Sequence, residues 1–116
     1  MRLIVAGGRD YKPTYADEKL LFRLFRDYKI TEVVDGGAPG IDTWARQKAL
    51  WMGLDAVTVW ANWTKHERAA GPLRNEKMTK FADCVALFPG GVGTNSMRKI
   101  AKAHGMKIIY DAKEKT

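Results

Sequence analysis

Three glycine clusters define the chemistry open to this chain: Gly7-Gly8-Arg9-Asp10, Gly36-Gly37-Ala38-Pro39-Gly40 and Pro89-Gly90-Gly91-Val92-Gly93-Thr94. Each follows a short apolar run. Glycine at such a place admits a positive φ and lets backbone N–H groups approach an anion, and a helix starting there adds its positive end. The Gly91-Val92-Gly93-Thr94 segment opens a helical stretch with Thr94 placed to cap it, which makes it the best phosphate cradle in the chain. One glycine loop after one strand is most often a tight turn, whereas three on one edge of a sheet favour a ligand. None fits G-x-G-x-x-G, and G-x-x-x-x-G-K-[ST] is absent, which argues against a Walker-type nucleotide hydrolase.

A long segment, Ala61 to Leu73, adds side chains to that edge, and thirteen residues without evident structure are usually functional. Trp63 offers a face for a base, or equally a hydrophobic lid, and Arg74 just beyond it could grip a phosphate bidentately. Asn75 stands beside Arg74 at an expected helix start. His66 reads as a loop residue, with a catalytic base as the lesser alternative, and His104 as a residue favoured by a helix carboxyl end. Cys84 reads as an inert buried thiol.

The elements that must position these groups follow from periodicity. Short β-branched runs at about 3–6, 32–35, 56–60, 84–88 and 107–110 read as buried parallel strands. Between them the spacing predicts helices over about 15–28, 41–52, 74–81 and 94–104, two of them stopped by Gly53 and Gly105. Alternating strands and helices with short connections give an α/β chain: a doubly wound parallel sheet of about five strands, expected in the order 3-2-1-4-5. In such a sheet the strand carboxyl ends share one edge, so the three glycine loops converge where the strand order reverses. Residues 1–112 are expected to form a single domain and 113–116 a solvated tail.

Composition narrows the function classes. The 116 residues are 46% hydrophobic, an ordinary globular balance, and the sole cysteine excludes an internal disulfide framework or a multi-cysteine zinc site. No metal site and no cofactor are expected. No apolar run reaches the roughly 20 residues of a membrane span, and the apolar start reads as a strand rather than a leader, so a cytoplasmic location without a membrane partner is the expectation. The net charge of +7 is uneven: residues 1–64 carry nine basic and eight acidic groups, residues 65–116 eleven and five. That bias suits a phosphate-rich ligand, from nucleotide to nucleic acid, or merely a solvated surface. Trp44, Trp51 and Met52, on or beside the apolar face of the second helix, suggest a homo-oligomer formed through it.

The ordered set Gly7-Gly8-Arg9-Asp10, Gly36 to Asp42 with Ala45, Trp63, Ala69 to Asn75 with Met78, and Pro89 to Thr94 with Met97 closely resembles the YspA-like branch of the SLOG superfamily. That superfamily also holds the Lonely Guy phosphoribohydrolases and the DNA-processing protein DprA. The resemblance implies a Rossmann-like fold that binds a nucleotide or an ADP-ribose-like ligand, as a sensor or sequestering protein. It implies a site of Gly7, Gly8, Arg9, Gly36, Gly37, Asp42, Trp63, Arg74, Asn75, Gly90, Gly91, Gly93 and Thr94. Where Lonely Guy enzymes carry a catalytic Glu, this chain has Met97, which can neither donate nor accept a proton. A phosphoribohydrolase or N-glycosidase acting on nucleoside monophosphates is therefore the alternative, with Asp42 or Asp10 (or Asp35) as candidate catalytic groups. Nucleic-acid binding of the DprA kind is a second alternative. The loop also departs from the YspA-like pattern, with Asn62-Trp63 for Asp-Trp and His66-Glu67 for His-Gly.

Overall fold

The computed structural model describes residues 1–115. Five parallel strands form one sheet: β1 (Arg2–Ala6), β2 (Glu32–Asp35), β3 (Asp55–Thr58), β4 (Cys84–Leu87) and β5 (Lys107–Asp111). Their order is β3-β2-β1-β4-β5, the expected doubly wound α/β arrangement. Between them lie α1 (Tyr15–Asp27), α2 (Ile41–Trp51), α3 (Trp63–His66), α4 (Ala70–Met78) and α5 (Val92–Ala103). The chain moves outward from β1 to β3 and then returns to β4 and β5, so right-handed crossovers place α1 and α2 on one face and α4 and α5 on the other.

The alternation of β1 shows why both faces must be covered. Leu3 and Val5 pack with Leu21, Leu24 and Phe25 of α1 and with Ile41, Ala45 and Ala49 of α2. Ile4 and Ala6 face the opposite way, toward Met78, Met97 and Ala101. Phe88 ends the central β4 segment fully buried, its ring 5.5 Å from Trp44 and 5.2 Å from Tyr110. It thus ties α2 and β5 to the centre of the sheet. On the outer strand, Asp111 receives two hydrogen bonds from Arg98, at 2.7 and 2.8 Å, and this pairing holds its carboxyl below the ordinary carboxylate range.

Three elements depart from the sequence reading by two residues or more. The third strand stops at Thr58, two residues early, because β2, its only neighbour in the sheet, ends at Asp35 opposite it. The expected helix over 74–81 instead starts at Ala70 and ends at Met78, with α3 and a 3-10 turn (Glu67–Ala69) filling most of the presumed loop. Gly71 and Pro72 are accommodated because they lie in its first turn, where backbone N–H groups have no intrahelical partner. The last long helix begins at Val92, so Thr94 sits inside its first turn rather than capping it; Gly91 takes the cap position. After β5, residues 112–115 form a 3-10 turn, and Thr116, the end of the expected tail, lies outside the described residues.

Removing the central ring should show its weight. Phe88→Ala is expected to lower the unfolding free energy by about 3–5 kcal/mol in urea denaturation, since the cavity would lie in the buried core between the sheet and the α1/α2 layer. A loss below about 1 kcal/mol would contradict this account of the core.

Candidate functional site

At the carboxyl edge of the sheet, the three glycine loops enclose one cavity of about 920 Å³. All thirteen residues expected from the resemblance line it, and so does Asp10. The first loop connects the other two. The Gly8 N–H donates to the Pro89 carbonyl at 2.8 Å, and the Gly8 carbonyl accepts from the Ile41 N–H at 3.3 Å. A Cβ at Gly7 would run into the Ile41 side chain, so this loop lies directly on the start of α2.

The second loop is held by buried charges. Asp42 accepts from the Gly36 N–H at 2.9 Å and the Ala38 N–H at 3.4 Å. Arg74 donates Nη1 to the Gly36 carbonyl and Nε to Asn75 Oδ1. Gly36 is therefore gripped at both backbone polar atoms. Asn75 in turn donates Nδ2 to Ser96 Oγ and to the Gly93 carbonyl, linking α4 to the start of α5. Two of the five N–H donors that Arg74 could offer a phosphate, on Nε and Nη1, serve the protein instead. Arg74 braces the second loop and contributes its positive charge at the cavity wall. Asp35 does not line the cavity; it is fully buried beneath the loop, accepting from Gly37 N–H at 2.8 Å and the Thr58 hydroxyl at 3.1 Å.

These carboxylates titrate unusually. Burial pushes Asp42 up to about 6, with the Ala38 and Gly36 amides pulling the other way, and burial also raises Asp35. Burial lowers the Arg74 pKa, while the two aspartates hold it up. Cys84, also raised by burial, stays a thiol away from the site.

The third loop is built differently. Thr94 is buried, and a Cβ at Gly90 would collide with its hydroxyl and approach Gly8 N to 2.8 Å, so only glycine fits there. By contrast, a Cβ at Gly91 or Gly93 would meet no protein atom within 4 Å. The twelve-residue α5 has neither a capping side chain nor an acidic residue in its first turn. Compare α1, closed by a reciprocal box in which Thr14 caps Asp17 N–H and Asp17 caps Thr14 N–H. The start of α5, from Gly91 to Thr94, thus lies at the cavity wall without a side-chain cap.

Several lining residues escaped the sequence reading. Trp60 lines the cavity because β3 ends early, and Tyr11, Arg68 and Ser96 join it. An aromatic residue at a strand's carboxyl end was the available signal for Trp60. Met97 is fully buried at the cavity, packed among Ile4, Val85 and Leu87. His66 is not among the lining residues, and His104 pairs with Glu76 at 2.6 Å instead. Trp44 is half-buried against Phe88, whereas Trp51 is 74% exposed. Among the described residues, no three His, Cys, Asp or Glu side chains are close enough to share a metal ion, and no helix is long and apolar enough to cross a membrane.

No family model matches the chain. It is 33% identical over 117 aligned positions to the "Gene 61 protein" of Mycobacterium phage D29, covering 93% of this chain and 94% of the phage protein. Among solved structures, TM1055 superposes with a TM-score of 0.71 at 20% identity over 92% of this chain and 71% of its own. DNA processing protein A (DprA) from Streptococcus pneumoniae gives a TM-score of 0.71 at 16% identity; the match covers 94% of this chain but only 49% of DprA. The fold is thus the one found in TM1055 and in part of DprA, the latter a protein of the superfamily that the motifs resemble.

The Asp42 shift carries a measurable consequence. A carboxyl raised in the folded state binds protons that the unfolded chain does not, so its contribution favours folding below about 6 and is lost as pH rises through that value. Lowering the pH from 8 to 5 should therefore add about 1 kcal/mol through this group. Urea midpoints of wild type and Asp42→Asn across that range should differ by this amount in their pH dependence; parallel profiles would refute the shift.

Proposed function

The chain belongs to the family of the mycobacteriophage D29 gene 61 protein, and we propose that it binds a nucleotide or ADP-ribose-like ligand as a sensor or sequestering protein of the YspA-like SLOG type. The observation that carries this reading is the uncapped start of α5 facing a cavity lined by three glycine loops. Backbone N–H groups around Gly90, Gly91, Gly93 and Thr94 are the phosphate donors. Arg9 and Arg74 supply positive charge at the cavity wall, and the glycines at 7, 8, 36 and 37 let the loops pack closely on Ile41, Pro89, Arg74 and Trp60. Asp42 and Asn75 hold the loops that face the sugar.

Binding without turnover is favoured by Met97, which puts an unreactive thioether where Lonely Guy enzymes have a carboxylate. A second reading has one observation behind it. Asp42, at about 6, titrates close to neutrality beside the cavity, as an acid–base group for N-glycosidic hydrolysis would. Nucleic-acid binding draws only on the basic charge and on a fold shared with a DNA-processing protein. Association through α2 is a further proposal, supported by Leu50, Trp51 and Met52, each about half exposed or more at the carboxyl end of that helix.

Calorimetry with AMP tests the phosphate site. Gly91→Val should abolish binding with little change in melting temperature, because its Cβ enters open space on the anion's path. Undiminished affinity in that variant would remove the cradle. Wild type should leave AMP intact; release of adenine that disappears in Asp42→Asn would establish the hydrolase instead.

Sedimentation addresses association. A species of about twice the 13.0 kDa chain mass is expected at micromolar concentration, reverting to monomer in Trp51→Glu. A monomer alone in the wild type would exclude an obligate α2 interface.

A further inference from the structure

Four tryptophans divide into two kinds. Trp44 packs on Phe88 and Trp51 on Phe22, at ring distances of 5.5 and 6.0 Å. Trp60 and Trp63 have no aromatic partner among the described residues, yet they are 68% and 57% exposed and both line the cavity. Exposing two indoles in so small a domain forgoes the burial of two large apolar rings, which calls for an explanation other than solubility.

Each of these rings is backed by a glycine. A Cβ at Gly37 would strike the Trp60 ring, with Cε3 at 2.6 Å, so the indole rests directly on the loop backbone. Gly37 also has a φ of +77°, and its N–H is fixed to Asp35 at 2.8 Å, which makes that support rigid. On the other side, Trp63 Cη2 lies 3.5 Å from where a Cβ on Gly71 would stand. Trp63 begins α3, whose first turn is capped by Asn62 accepting the Lys65 N–H at 3.0 Å. The two indoles are therefore supported from behind, and much of each remains open to solvent. They share the cavity with the uncapped start of α5.

We propose that Trp60 and Trp63 form an aromatic jaw that stacks the base of the nucleotide, while the glycine amides hold its phosphate. This rests on the nucleotide reading above and adds to it the base as the recognised group. A flat π-surface binds a base without a requirement for particular edge hydrogen bonds, so the jaw selects for a planar ring rather than for one base. The cavity is near the top of the ordinary size range for small-ligand sites, about 300–1,000 Å³, and so accommodates base, sugar and phosphate together.

AMP and ribose 5-phosphate, which differ by the base alone, separate the two ends of the site. In calorimetric titrations of the full chain, AMP should bind about 5- to 100-fold more tightly than ribose 5-phosphate. Trp60→Ala and Trp63→Ala should each remove much of that advantage and leave ribose 5-phosphate affinity unchanged. Trp60→Phe and Trp63→Phe, which keep an aromatic face, should restore most of it. Because both side chains are exposed, unchanged melting temperatures are expected and exclude unfolding as the cause. Equal affinity for the two compounds, or AMP binding unaffected in both alanine variants, would overturn the jaw and leave the phosphate cradle standing. Failure of wild type to bind either compound would overturn the cradle and the jaw with it.

Discussion

Strand β1 takes parallel partners on both sides, Leu3 lying opposite Val33 of β2 and Cys84 of β4. With three neighbouring strands running the same way, the segments leaving their carboxyl ends have to emerge side by side. The glycine loop after β1 lies between the other two and bonds to both through the two polar atoms of Gly8. The cavity is a product of this central pairing: no single loop encloses it, and the helices on either face serve chiefly to bury the sheet that brings the loops together.

Keeping such loops still is the second problem the structure answers. Glycine-rich backbone is entropically costly to order. Here the second loop is fastened by Asp35, Asp42 and Arg74, whose burial shifts all three from their ordinary pKa values. Isolated buried charges would be destabilising, but each of these has hydrogen-bond partners, and among the described residues no buried side-chain polar atom is left without one. The cost is offset by rigidity at the sheet edge. A consequence is that Asp35, Asp42 and Arg74 spend hydrogen bonds on the protein itself at the cavity's edge.

The helix ends express the same division. In α1 the chain satisfies its own first-turn amides with Thr14 and Asp17. In α5 it uses Gly91 at the cap position, which cannot do so. The aromatic residues follow suit: Trp44 completes the core beside Phe88, whereas Trp60 and Trp63 lean on glycines at the cavity.

Much of this was legible in the chain itself. Short β-branched runs alternating with amphipathic stretches sufficed for the strand order, because a parallel sheet with right-handed crossovers leaves few alternatives. The glycine positions sufficed to bring the loops to one edge. What sequence could not supply were features set by contacts distant along the chain. Thr94 looks like a helix cap, but the helix starts at Val92 and buries its hydroxyl against Gly90. Arg74 looks free on both edges, but the fold delivers the Gly36 carbonyl, thirty-eight residues away, to one of its donors. Trp60 looks like the end of a strand, but β3 is an outer strand whose only neighbour, β2, ends at Asp35, and the ring is released to the rim. Local pattern determines which faces are apolar and where the chain can turn; which polar group meets which is decided only when segments far apart in sequence pack against one another.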